Sequence, residues 1–159
     1  MERTRLEEQL RNALEREEFV CFYQPQVDSE GYIIGAEVLI RWRHPSMGMI
    51  SPQVFIPLAE ETGLIVPIGT WVLHQACARL KLWRQLPNAA HLTLAVNVSA
   101  VQFREADFIP IVEQAIHTYR HRSPFPEAGT DRESGAERRG RHDRDHEPPE
   151  ITGRWFFHG

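Results

Sequence analysis

The residue best suited to take part in chemistry is an acid inside an apolar run. Glu37 lies between Ala36 and Val38, where an unpaired carboxylate has a high cost of burial. A divalent cation offsets that cost, because Mg²⁺ prefers oxygen ligands. Arg41 follows four residues later, so in a strand both side chains share one face. A carboxylate and a guanidinium on one face suit a site that holds a metal beside a phosphate. A direct ion pair between Glu37 and Arg41 explains the same residues equally well.

The segments that carry these residues have the composition of strands. β-branched and aromatic residues are dense in 19–27 and 32–42, and residues 28–31 between them are typical of a turn. A third apolar run, 91–99, predicts a buried strand with Asn97 towards its far end. Asparagine is disfavoured in strands, so its amide needs a hydrogen-bonding partner. Neighbouring backbone is one such partner.

Helices are predicted on either side of these strands. Ser51 and Pro52 are typical of a helix start, and Gly63 is typical of a helix end. Periodic apolar residues predict three more helices. The four predicted helices cover about residues 5–17, 52–62, 67–83 and 108–119. The order helix, two strands, two helices, strand, helix predicts an α/β sheet.

Three residues outside the predicted strands have open interpretations. Glu60 and Glu61 fall in the last turn of the second helix, where the helix dipole disfavours negative charge. This placement indicates either a role beyond stability or simple exposure to solvent. His44, next to Pro45, is either a metal ligand or a residue packed beside the turn. The packing interpretation is favoured because no second His or Cys lies at ligand spacing.

Four short motifs follow one another along the chain. They are Tyr23-Gln24-Pro25, Glu37-Val38-Leu39-Ile40-Arg41-Trp42-Arg43-His44-Pro45, Phe55-Ile56-Pro57-Leu58-Ala59-Glu60-Glu61-Thr62-Gly63 and Val96-Asn97-Val98-Ser99. In this order they resemble the EAL-domain family of cyclic-di-GMP phosphodiesterases. The resemblance covers roughly residues 3 to 120, with Val38 in place of the alanine of the family signature.

The resemblance implies a fold, a reaction and a set of site residues. The intact family is a TIM-type barrel that hydrolyses cyclic-di-GMP to the linear dinucleotide with Mg²⁺ or Mn²⁺. Carried over by motif, Glu37 and Asn97 are metal ligands, while Gln24, Leu39 and Arg41 lie against the substrate. With 159 residues the chain is short for a (β/α)8 barrel of about 250. We therefore expect an α/β fold that is roughly the first half of an EAL-type barrel, with a disordered C-terminal tail.

The composition changes abruptly after about residue 120. Residues 121–159 contain eight acids and seven arginines, with Ile151 as the only Ile, Leu or Val, so we expect a disordered tail after a partial EAL domain over 1–120. Back-translation of 126–134, started one base later, permits Leu-Arg-Leu-Glu-Leu-Thr-Glu-Ser, which is similar to the next metal-binding strand of the family. The same shift over 155–159 permits Gly-Phe-Ser-Met, similar to the segment before the family's paired aspartates. We therefore predict a frameshift near residues 119–125.

The truncation limits the activity that we expect. The remaining acids and the lysine of the family site have no counterparts here, and Mg²⁺ binds weakly to one carboxylate and one amide. We expect an EAL-family protein of cyclic-di-GMP signalling that is inactive alone. The alternative is a non-catalytic module that binds cyclic-di-GMP or a protein partner.

Charge, hydropathy and cysteine content indicate which partners and which compartment we expect. A net charge of −4 argues against a nucleic-acid polymer as partner. We predict no membrane segment, because no apolar run approaches about 18 residues. Two cysteines without ligand or disulfide spacing fit the cytoplasm. Beyond cyclic-di-GMP, the expected partners are a second copy of the chain or a signalling domain.

Overall fold

The fold is a mixed sheet with helices packed on one of its faces. The computed structural model describes residues 2–120, 137–138 and 151–158. The elements in chain order are α1 (Glu2–Ala13), β1 (Phe19–Val27), β2 (Ile33–His44), β3 (Gly48–Ile50), α2 (Pro52–Thr62), α3 (Ile65–Arg84), β4 (Thr93–Ser99), α4 (Ala100–Arg104), α5 (Phe108–Arg120), β5 (Glu137–Arg138) and β6 (Ile151–His158).

The sheet combines antiparallel and parallel pairs. Strand β1 runs antiparallel to β2, with Phe19 opposite Trp42 and Gln24 opposite Glu37. Strand β4 lies on the other side of β2 and runs parallel to it, and the short β3 also pairs with β2. Helices α2 and α3 form the crossover between the parallel strands β2 and β4. This alternation is the α/β arrangement that the sequence predicts.

Local sequence signals set the limits of the crossover helices. The Ser51 hydroxyl accepts the backbone N–H of Gln53 at 3.3 Å, and Pro52 begins α2. Gly63 ends α2 with φ 77°, a left-handed conformation that costs glycine little. Helix α3 begins at Ile65, two residues earlier than predicted, because Pro67 fits in the first turn of a helix.

Two apolar clusters hold the elements together. The first lies between the sheet and helices α3 and α5, and its buried residues include Val38, Val72, Leu94, Val96 and Val112. The second joins α1, α2 and the start of α3 to one end of the sheet. Its buried residues include Leu10, Phe19, Trp42, Phe55 and Ile68. Alternate residues of β2 and β4 therefore face the helices, and the residues between them face away.

The C-terminal segment differs in part from the expected disordered tail. Residues 151–158 form β6, which pairs antiparallel with β4 from Thr93 opposite His158 to Ser99 opposite Ile151. Residues 137–138 form β5 beside β6. An uncovered strand edge offers a row of free backbone groups, and the aromatic and β-branched residues of 151–158 favour a strand there. The other residues of the predicted tail lie outside the described residues.

Among the described residues, no helix combines the length and the apolar character that crossing a bilayer requires.

Candidate functional site

One face of the sheet carries all five residues singled out in the sequence. Gln24 on β1 lies opposite Glu37 on β2, so their side chains share a face. Leu39 and Arg41 follow at alternate positions of β2 and share that face too. Asn97 on β4 joins them, because its side chain reaches Glu37. We call this set the site face. The helices α3 and α5 pack against the opposite face of the sheet.

A hydrogen bond between neighbouring strands is the centre of the site face. The Asn97 Nδ2 group donates to Glu37 Oε1 at 2.9 Å, and both side chains are half-buried. The bond is charge-assisted, because an ionised carboxylate accepts it. Since an ionised carboxylate only accepts, the amide of Asn97 must turn its nitrogen to Glu37, and its Oδ1 remains an acceptor. The partner of Asn97 is thus a side chain, where the sequence left neighbouring backbone as one alternative.

Arg41 belongs to the site face but does not pair with Glu37. The two residues are four positions apart on a strand, which separates them by about 13 Å. The Arg41 Nη1 group instead donates to the backbone carbonyl of Ile40 at 3.0 Å. The ion-pair interpretation of this sequence pattern is therefore wrong, and the guanidinium keeps most of its donors for other acceptors.

His44 packs beside the turn that follows β2, as the sequence favours. Its Nδ1 atom accepts the backbone N–H groups of Ser46 and Met47, both at 3.1 Å. Its ring lies edge-on to Trp42, with centroids 5.3 Å apart, and the residue is buried. An imidazole nitrogen that accepts two backbone donors is occupied by the turn. This contact gives His44 a structural role.

A second polar contact lies at the C-terminal end of β4, and the sequence does not predict it. The Ser99 hydroxyl donates to Glu60 Oε2 at 3.4 Å and accepts the backbone N–H of Val101 at 3.1 Å. Ser99 thereby links α2 to the start of α4. Gln102 follows in α4 and is buried against Gly69 of α3. The only signal in the sequence is the acid in the last turn of α2.

The side of β1 that faces α3 carries a second group of titratable residues. Burial raises the pKa of the Cys21 thiol to about 11, and the nearby charge of Arg79 lowers it by a smaller amount. Burial also raises the pKa of Tyr23, whose ring lies 4.8 Å below the Arg79 guanidinium. A thiol with so high a pKa is a poor nucleophile at neutral pH. This group therefore stabilises packing between β1 and α3.

The site face offers an incomplete set of metal ligands. Glu37 and Asn97 bring one carboxylate and one amide together, and Mg²⁺ demands near-octahedral oxygen coordination. Within residues 3–119, whose side chains are described, no three His, Cys, Asp or Glu residues form a cluster that could hold a metal ion. The residues present therefore fit part of such a site.

Comparisons with known proteins identify what the chain resembles. The model of the EAL domain family matches residues 7–125. The chain is 47% identical over 116 residues to the bifunctional diguanylate cyclase/cyclic di-GMP phosphodiesterase MucR of Pseudomonas aeruginosa, covering 72% of this chain and 17% of MucR. It is 42% identical over 106 residues to another cyclic di-GMP phosphodiesterase of that organism, covering 65% of this chain and 17% of the relative.

Solved structures agree with these relatives. A phosphodiesterase structure of MucR with c-di-GMP matches with a TM-score of 0.70 and 46% identity, covering 72% of this chain and 47% of that one. The EAL domain of FimX from Xanthomonas citri, also with c-di-GMP, matches with a TM-score of 0.62 and 27% identity, covering 74% and 45%. The chain thus spans about a sixth of the length of these two curated relatives and just under half of these two matched structures.

Proposed function

Because the chain belongs to the EAL-domain family, we propose that its site face is the first half of a cyclic-di-GMP site. The observation that carries this proposal is the Asn97–Glu37 hydrogen bond, which joins two strands on the face that also bears Arg41. Relatives named as cyclic di-GMP phosphodiesterases, and neighbours solved with c-di-GMP, support it. In this proposal the chain contributes residues that bind the dinucleotide.

Each residue of the site face has a proposed role. Arg41 donates to a phosphate of the dinucleotide, because its planar fork matches phosphate oxygens. Gln24 and Leu39 lie against the ligand beside it. Glu37 and Asn97 would hold Mg²⁺ or Mn²⁺ through carboxylate and amide oxygens, and a bound metal would polarise the phosphodiester and lower the pKa of the attacking water. The hydrogen bond between Glu37 and Asn97 keeps both groups at one place on the sheet.

Binding without hydrolysis is what the described residues support. Two protein ligands leave the coordination of Mg²⁺ incomplete. Binding of phosphate by Arg41 does not depend on the missing ligands. We therefore propose that the chain by itself binds cyclic-di-GMP and does not turn it over, and that hydrolysis needs the rest of an EAL domain. A non-catalytic binding module is the form of this function that the site face favours.

A nucleotide titration tests this proposal. Isothermal titration of cyclic-di-GMP into the chain, with and without Mg²⁺, measures affinity, and chromatography of the products measures turnover. We expect Arg41→Ala to weaken binding roughly 10- to 150-fold, since a hydrogen bond to a charged group contributes about 1.5 to 3 kcal/mol. Arg11→Ala is the matched control, because Arg11 is exposed on α1 and pairs with Glu7. Equal affinity of the Arg41 variant and the wild type, or turnover by the chain alone, contradicts the proposal.

The boundary of the family domain supports a second proposal about the tail. We propose that residues 121–159 follow a shift of reading frame near 119–125 and that the partial EAL domain covers 1–120. The family match ends at residue 125, a few residues after the change of composition at about residue 120. Sequencing the coding DNA over 119–159 and beyond tests this. Recovery of a Glu-Leu-Thr-Glu strand and then paired aspartates in the shifted frame is expected, and a shifted frame that encodes neither one refutes it.

We further propose a cytoplasmic location, with a second copy of the chain or a signalling domain as partner. Neither Cys21 nor Cys77 takes part in a disulfide in the described part of the chain, which fits a reducing compartment. Light scattering of the purified chain tests self-association. A monomer at all concentrations would leave only a separate signalling domain as the protein partner.

A further inference from the structure

The carboxylate of Glu60 has a partner that explains its place in the sequence. Glu60 lies in the last turn of α2, the end of a helix where a negative charge is disfavoured. In the structure it accepts a hydrogen bond from the Ser99 hydroxyl. This contact crosses from α2 to the end of β4, and 39 positions of sequence separate the two residues.

Hydrogen bonds fix the Ser99 hydroxyl both as a donor and as an acceptor. The residue is only 8% exposed, so its hydroxyl needs partners within the protein. It donates to Glu60 and accepts from the backbone N–H of Val101, the second residue of α4. Both functions of the hydroxyl are thereby satisfied. The turn from β4 into α4 is tied to α2 by this one side chain.

The same strand carries Asn97 two positions earlier. Residues two apart in a strand share a face, so Asn97 and Ser99 lie side by side at the C-terminal end of β4. Asn97 donates to Glu37, and Ser99 donates to Glu60. Two carboxylates, one on β2 and one on α2, therefore accept hydrogen bonds from the end of β4. Only Val98 separates the two donor residues along the strand.

We propose that Glu60 is a positioning residue that, through the Ser99 hydroxyl, fixes the end of β4 and orients the Asn97 amide against Glu37. The meaning of this position for a ligand rests on the proposed function of the site face. Glu60 itself has no assigned contact with the dinucleotide or the metal. Only an acceptor is required at this position, so glutamine can replace glutamate.

The test measures the exchange with water of the Asn97 side-chain amide protons by NMR, in the chain without nucleotide. We expect Glu60→Ala to raise this rate about fivefold, as loss of one net hydrogen bond predicts. Glu60→Gln should stay within about twofold of the wild type, because its carbonyl still accepts from Ser99. Glu61→Ala is the matched control, since Glu61 lies one residue on and contacts Arg3 of α1. It should leave the Asn97 rate unchanged.

Ser99→Ala provides a second route if Glu60→Ala does not unfold cooperatively. It removes the donor to Glu60, together with the acceptor for the Val101 backbone N–H, without a change in α2, and the same rise in the Asn97 rate is expected. An unchanged rate in these variants overturns the proposal. So does a rise of equal size in Glu60→Gln or Glu61→Ala, because it would show a general loosening of α2.

The function proposed for the site face and the role proposed for Glu60 can be refuted independently of each other. The exchange measurement contains no nucleotide, so its outcome does not depend on binding. An unchanged affinity in Arg41→Ala overturns the function of the site face and leaves the role of Glu60 intact. An unchanged exchange rate in Glu60→Ala has the opposite consequence.

Discussion

Replacing Gly35 by alanine tests how closely β2 and β4 must approach next to the site face. Gly35 pairs with Thr93 at the start of the parallel ladder, two residues before Glu37. A Cβ atom at Gly35 would lie 2.6 Å from the Thr93 hydroxyl oxygen and 3.2 Å from its carbonyl carbon, and would overlap the carbonyl oxygen. The carbonyl belongs to the backbone of β4, so the two strands must move apart to make room.

Two opposing effects determine the size of the loss. Inserting a methyl group into a well-packed contact costs about 1 to 3 kcal/mol. Alanine also restricts the unfolded chain, which returns about 0.4 to 1 kcal/mol. Gly35 does not have a positive φ, so alanine meets no backbone strain there. We expect a net loss of about 1 to 2 kcal/mol in the free energy of unfolding, since the contact with backbone dominates.

Urea unfolding followed by circular dichroism measures this loss, and the Asn97 amide signal reports whether the strands have separated at the site face. The double variant Gly35→Ala with Thr93→Ala is the matched control. The double variant removes the Thr93 hydroxyl but keeps the carbonyl, so it should recover less than half of the lost free energy of unfolding. A Gly35→Ala chain with the urea midpoint and slope of the wild type refutes the close approach. Full recovery in the double variant would show that the hydroxyl, not the backbone, causes the loss.

Two further predictions concern the packing of α3 on the sheet and on α4. Gly69→Ala should cost less than Gly35→Ala in urea unfolding, because the three atoms nearest to its Cβ all belong to the side chain of Gln102. The double variant Gly69→Ala with Gln102→Ala should recover most of that loss. A cost above that of Gly35→Ala contradicts this prediction. Cys21, with its pKa raised to about 11, should react with a thiol reagent at pH 8 about 100-fold more slowly than an unfolded thiol, measured in a Cys77→Ala background. The pKa of the Cys21 thiol is about 11 in the folded chain and 9.0 in the unfolded chain. The contribution of this thiol to the free energy of unfolding is therefore complete below pH 9 and is lost as pH rises towards 11. A free energy of unfolding that increases over that range refutes the assignment.

Local signals predicted the elements and the shared face. The limits of α2 follow from Ser51, Pro52 and Gly63, because capping depends only on residues within one turn. The common face of Glu37 and Arg41 follows from the alternation of side chains in a strand. Information of this kind lies within a few residues along the chain.

Contacts between distant residues could not be read in the same way. The partner of Asn97 is Glu37, 60 positions away, and its identity depends on the register between β4 and β2. The Glu60–Ser99 contact likewise depends on how α2 crosses the end of β4. The composition of 121–159 predicts a segment that supplies no core, but an open edge on β4 accepts strand β6 through backbone groups, which composition does not report.

The antiparallel direction of β1 determines where the N-terminal helix meets the rest of the molecule. Phe19 begins β1 opposite Trp42, near the C-terminal end of β2, so α1 joins the sheet at the end that bears the Ser99 contact. Arg3, in the first turn of α1, contacts Glu61 on α2, the residue next to Glu60. Helix α1 therefore meets the rest of the molecule at two places, since Leu10 also packs with Phe19 and Trp42 in the second apolar cluster. Its first turn lies against α2, one residue from Glu60.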